Sequence, residues 1–200
     1  MNRHDYYEQM KELARQTRAQ HGLDSPRVLR SQLRAIYKHH GIAIDLWSCK
    51  FKKLRGAYFN DDAGPTVMLA KGLPEDPMVF TMAHELKHHL VDSGTNISLC
   101  SFENERAPIE IGAEVFAAEL IFPEHEFVAD LKRAGVQSGR CTAEDLVHLK
   151  RRTRTTLSYS GLAKRAELLA LVPDGSLAGV KWKKLEERIY GVPFYKRLRR

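Results

Sequence analysis

Residues 84–88 read His84-Glu85-Leu86-Lys87-His88. On a helix, positions four apart share a face, about one turn along. Two imidazoles so placed can chelate one metal ion. Glu85 follows the first histidine and is rotated around the axis, where a carboxylate can reach a water on that metal. The pattern is that of a zinc hydrolase. A catalytic zinc site takes three protein ligands and keeps a fourth position for water. The pentapeptide supplies two, so a third must come from elsewhere.

The apolar spacing around this motif predicts a helix over residues 78–91. Val79, Met82, Ala83, Leu86 and Leu90 line one side, and His84, His88 and Val91 another. A helix this apolar is expected to lie between layers, and buried histidines need partners. His89 points about 100° away from His88 and is expected to pack or to support rather than to ligate. Lys87 could sit in a substrate cleft, but extension to solvent is the expectation. A second helix is predicted over residues 106–121. On it Glu110, Ala113, Glu114, Ala117 and Ile121 share a face. Two carboxylates in a stripe of small and apolar residues are costly unless a metal or a metal-bound histidine engages them. Glu110 and Glu114 are therefore both candidates to complete the site, and the alanines would let the two helices approach closely.

The other elements follow from punctuation and periodicity. A helix over residues 6–18 ends at His21-Gly22. Ser25-Pro26 reads as a cap and first-turn proline for a helix over residues 26–40, closed by Gly41. Strands are predicted at 42–47, 56–60 and 66–70, with short connections that favour a small, mainly antiparallel sheet. Residues 50–55, rich in lysine, read as a solvated loop. Pro123 closes the 106–121 helix and opens a short one reaching about residue 134. Thr142 caps a helix over 143–152, with Asp145 three residues on, and another helix follows over 159–171. Two short helices joined by a tight turn suggest a helix-turn-helix. The final segment, 182–200, reads as a short helix with a basic end. The fold class is α+β, with a zincin-like peptidase domain over residues 1–140 and a basic, helix-turn-helix-like region over 141–200.

The chain has 200 residues and a net charge of +7. From Cys141 onward 14 basic side chains face six acidic ones, giving +8 and leaving −1 for the first 140 residues. The basic end is either a solvated terminus or a surface for an acidic partner such as nucleic acid. No run approaches the roughly 20 apolar residues of a membrane span, and the start has no apolar signal-peptide core. Cys49, Cys100 and Cys141 are odd in number and widely spaced, without zinc-type pairing. They read as ordinary thiols of a cytoplasmic protein. Oligomeric state is not encoded in any of these features.

The stretches VFTMAHELKHHLVD and IEIGAEVFAAELIFP resemble the ImmA/IrrE metallopeptidases. So do the strand patterns GIAIDLW and RGAYFND and the later SYSGLAKRAELLALV. The resemblance implies a gluzincin-like zinc endopeptidase. It makes His84 and His88 ligands of Zn2+, Glu110 the third ligand and Glu85 the general base. Glu114, one turn on, would accept a hydrogen bond from a ligating imidazole, and an exchange of roles with Glu110 stays open. The resemblance further implies a protein substrate, a DNA-binding helix-turn-helix repressor whose cleavage relieves repression of phage, mobile-element or stress-response genes. Peptide would add along the strand at 56–60. Tyr58, His125 and Tyr159 are the polar candidates for stabilising the oxyanion. Two other functions compete: a regulatory protein whose basic end contacts DNA around a structural or vestigial metal site, and a toxin-antitoxin-like component that binds its partner without cutting it.

Overall fold

A computed structural model describes residues 2–48, 55–93, 97–98 and 107–193. Two compact units emerge: Met1–Pro123 with Thr155–Leu157, and Glu124–Arg154 with Ser158–Arg200. The expected loop at 50–55, all but Arg55, lies outside the described residues, as do Cys49, Cys100 and the basic end at 194–200.

The first unit is an α+β structure. Its elements in order are α1 (Arg3–Gln20), α2 (Arg30–His39), β1 (Ala43–Trp47), β2 (Gly56–Asp61), β3 (Gly64–Ala70), α3 (Glu75–Asp92), β4 (Ile97–Ser98) and α4 (Pro108–Ile121). The sheet order is β1-β3-β2-β4. β1 runs parallel to β3, whereas β2 is antiparallel to both β3 and β4. The sheet is thus mainly antiparallel, as expected. The β2–β3 hairpin turns tightly, with Asp61 opposite Gly64. The Asp61 carboxylate accepts the Ala63 N–H, and Gly64 takes a φ of 100° that a side chain would resist. β4 was not foreseen. Tyr58 and Phe59 pair with it, so at these two positions the strand is not the free edge anticipated for peptide addition.

Helix α2 starts at Arg30, four residues later than Ser25-Pro26 suggested. The cause is a long-range competitor. Thr156 donates its backbone N–H to the Pro26 carbonyl and its hydroxyl to the Val28 carbonyl. These bonds take the acceptors that a helix over 26–29 would use internally. Gln32 then folds back to accept the Leu29 N–H at 2.8 Å and caps the shortened helix.

Helix α4 packs against both α1 and α3. Gly112 permits the α1 contact: a Cβ built there would lie 2.6 Å from the Tyr6 ring and hydroxyl. Arg18, itself buried, donates to the Leu120 and Ile121 carbonyls at 2.7 and 3.2 Å. It thereby satisfies the end of α4, where carbonyls lack helical partners. Arg15 pairs with the buried Glu119 at 3.0 Å. On the other side α3 packs on β2 and β3, with Val79, Met82, Ala83 and Leu86 fully buried.

The second unit holds α5 (Glu124–Arg133), α6 (Ala143–Thr153), α7 (Tyr159–Leu168) and α8 (Trp182–Tyr190). Thr142 and Asp145 form the expected reciprocal cap of α6, at 2.8 and 3.2 Å. Helix α7 ends before residue 171, because Ala170 adopts a φ of 50° and the Leu171 N–H turns back to the Ala166 carbonyl. Tyr159 stacks on Trp182 with ring centroids 5.3 Å apart. Cys141 is a buried free thiol. Among the described residues, no helix is long and apolar enough to cross a membrane.

Candidate metal centre

Helix α3 carries His84, Glu85, Lys87 and His88 within about one turn, and α4 brings Glu110 against them. His84 Nε2 lies 3.2 Å from Glu110 Oε2 and 3.3 Å from His88 Nε2, and His88 Nε2 lies 3.7 Å from Glu110 Oε1. Three donor atoms from two helices thus converge. Zinc bound to nitrogen and oxygen at about 2.0–2.1 Å with tetrahedral angles would separate its ligand atoms by about 3.3–3.4 Å. The observed edges bracket that length, so the residues fit a divalent cation. Side-chain exposure is 14 % for His84, 0 % for His88 and 8 % for Glu110, so the site opens on the His84 side.

His88 is oriented from behind. Its Nδ1 lies 2.7 Å from Asp92 Oδ2, four residues on along the same helix. A carboxylate only accepts, so Nδ1 carries the proton and Nε2 faces His84 and Glu110. Burial alone would lower the His88 pKa. The hydrogen bonds to Asp92 and Glu110 and the negative charges of Glu85 and Glu110 outweigh it and lift the value to about 9. Glu110 shows the converse. Burial pushes it up, yet bonding to His84 and His88 holds it far below the ordinary carboxylate value. The raised His88 pKa reflects an excess of lone pairs in the pocket, which a divalent cation would answer equally.

Asp92 itself stays below the ordinary carboxylate value. Its burial opposes ionisation, but His88 and Lys87 both bond to it. Here the sequence expectation fails. Lys87 does not extend to solvent: its side chain is fully buried, with Nζ 2.6 Å from Asp92 Oδ2 and 3.1 Å from the Ile109 carbonyl. The Tyr6 ring lies 5.7 Å from the same ammonium. Lys87 therefore neutralises the carboxylate that orients His88 and ties α3 to the start of α4. Asp92 lies just past the helix expected over residues 78–91, which in fact runs through it. Its spacing of four from His88 was the signal that could have found it.

Glu85 is fully buried on the face of α3 turned to the sheet. A Cβ on Gly56 would stand 2.8 Å from Glu85 Oε1 and 2.5 Å from Thr81 Cγ2. Only a bare backbone at Gly56 lets β2 pass this close. The buried Tyr37 hydroxyl donates to the Met82 carbonyl at 2.7 Å. Burial first, and then the Glu85 charge, raise its pKa well above the ordinary value and keep it a neutral donor.

The model of the IrrE N-terminal-like domain, Peptidase_M78, matches residues 38–165. The chain belongs to this peptidase family. No curated protein matches it. The M78 match includes the HELKH helix, Asp92 and Glu110, and the His84, His88 and Glu110 group is compatible with zinc.

The remaining sequence candidates separate. Glu114 is half-buried one turn beyond Glu110 and is not a member of the converging ligand group. His89 turns away from it, as expected, with Nδ1 3.1 Å from the Tyr58 hydroxyl. Tyr58 is thus buried and engaged with His89. His125 and Tyr159 belong to the second unit.

Proposed function

We propose that the chain is a zinc-dependent endopeptidase in which His84, His88 and Glu110 hold the ion and Glu85 is the general base. The observation that carries this is the convergence of three ligand atoms within 3.2–3.7 Å, beside a buried carboxylate one residue along the helix. When bound, zinc would polarise a scissile carbonyl and acidify a water. Glu85 takes a proton from water and returns it to the leaving amine. Asp92 holds the His88 tautomer, and Lys87 holds Asp92 ionised. Gly56 and Thr81 restrict where the Glu85 carboxylate can turn.

The substrate we propose is a helix-turn-helix repressor encoded near this protein, cleaved to relieve repression of phage, mobile-element or stress-response genes. That choice rests on the ImmA/IrrE resemblance. Incubating the zinc-loaded protein with that regulator should yield discrete fragments. A Glu85→Gln protein should bind zinc equally well and yield none. Equal cleavage rates for the two proteins would remove Glu85 from the mechanism. Intact regulator held in a stable complex would favour a partner-binding role instead.

The charge of +8 over residues 141–200 favours a second reading, in which α6 and α7 present a helix-turn-helix to DNA. Binding of the whole protein to duplex DNA should then weaken steeply with salt. Absence of binding at low salt would remove this reading without touching the first.

A further inference from the structure

The first unit contains a second cluster of imidazoles, at the joined ends of α1 and α2. His21 is the residue that caps α1, His39 is the last residue of α2, and His40 caps α2. Their ring centroids lie 5.1 Å (His21–His39), 5.2 Å (His39–His40) and 5.8 Å (His21–His40) apart. One nitrogen from each ring falls within 4.8 Å of the others. We propose that His21, His39 and His40 form a second metal site, an all-imidazole site for a divalent transition-metal ion.

Four observations support it. First, His21 Nε2 is buried and, among the described residues, has no hydrogen-bond partner. A buried polar atom without a partner is costly, and ligation removes that cost. Second, the cluster sits at the C-terminal ends of two helices, whose dipoles present partial negative charge that favours a cation. Third, the backbone fixes the approach. Gly22 and Gly41 follow the two capping histidines at φ values of 61° and 67°. The Leu23 N–H returns to the Arg18 carbonyl and the Ile42 N–H to the Tyr37 carbonyl, so both turns are locked. Fourth, His21 and His40 sit below the ordinary histidine pKa, through burial and then repulsion from His39, joined for His21 by His40. Neutral imidazoles are the form that binds metal.

Donor atoms spread over up to 4.8 Å must close to about 3.3 Å around an ion. His39 is exposed and can supply that movement by rotating its side chain. Three imidazoles with a solvent side suit Zn2+, Ni2+ or Cu2+ and disfavour Mg2+ or Ca2+. His40 also meets the His89 ring at 5.5 Å, and His89 leads to Tyr58 on β2. The ion would therefore clip the ends of α1 and α2 beside the helix that carries the HELKH motif.

The test counts ions in untagged protein stripped of metal and titrated with Zn2+ alone. Wild type should bind two equivalents, measured by calorimetry and by elemental analysis after dialysis. The triple variant His21→Gln, His39→Gln, His40→Gln should bind one, with its remaining affinity unchanged. Each single variant should weaken the second equivalent at least about tenfold. A single equivalent in wild type that survives in the triple variant overturns this site and leaves the HELKH centre intact. Two equivalents in the triple variant overturn it as well. A further measurement needs no variant. With one equivalent of zinc preloaded, substoichiometric Cu2+ should broaden the ring signals of His21, His39 and His40 before those of His4, His125 and His148. Broadening centred elsewhere overturns the proposal.

Discussion

His84 and His88 stand one turn apart on a single buried helix, whereas His21, His39 and His40 come from the ends of two. The first pair has carboxylates on both sides: Glu110 in front and Asp92 behind, the latter neutralised by a buried lysine. Among the described residues, no carboxylate joins the second group. The first arrangement fixes tautomer, rotamer and charge before an ion arrives. The second leaves one ligand exposed to solvent and requires it to move. The difference teaches that imidazole proximity alone does not make a catalytic centre. Preorganisation there comes from the residues that hold the ligands.

The largest expected effect breaks the catalytic half of this comparison. Glu85→Gln should lower peptide cleavage by at least about 10²-fold while zinc content stays at the wild-type level. Next, Asp92→Asn should weaken zinc at the HELKH centre by about 10- to 100-fold, read by competition with a chelator dye. It should leave the affinity of the His21 cluster unchanged. Equal weakening at both would show that Asp92 acts on the fold as a whole. Lys87→Met removes a fully buried ammonium that pairs with Asp92 and should cost about 3–5 kcal/mol in urea denaturation. A loss under about 1 kcal/mol would mean that Lys87 is not buried as described.

Gly56→Ala is expected to destabilise by about 1–3 kcal/mol, because its Cβ meets Thr81 and Glu85. Cleavage should fall further than stability predicts, since Glu85 would be displaced. The smallest effect is one of pH. In metal-free protein His88 rises from 6.5 to about 9, so its contribution to stability is complete below pH 6.5 and is lost as pH climbs towards 9. Asp92 and Glu110 are lowered, so their contribution is lost instead as pH falls through the acid range. With chelator present, the melting temperature should decline between about pH 6.5 and 9. With zinc, the cation replaces the proton and the decline should flatten. Parallel curves would separate His88 from the ion.

Much of the centre was legible because its information is local. Four-residue spacing places His84 and His88 on one helical face wherever that helix lies. The alternation of apolar residues marked strands 42–47, 56–60 and 66–70 to within two residues. The Thr142 cap was equally local. Where the reading went astray, a distant group had intervened. Pro26 and Val28 were pulled from helix by Thr156, which is 128 positions from Val28. Lys87 reads as a solvent-seeking side chain until Asp92, Ile109 and Tyr6 surround it.

The sequence by itself determined the chemistry on offer: two imidazoles and a carboxylate on one helix, and further carboxylates on the next. Helical periodicity is a property of the backbone, so those relations survive any packing. Only the tertiary structure decided which carboxylate meets the imidazoles, and that His21, His39 and His40 gather at all. Those outcomes depend on how close two helices come. That approach is set by side chains far apart in the chain: Gly112 against Tyr6, Gly56 against Glu85, and Arg18 at the end of α4.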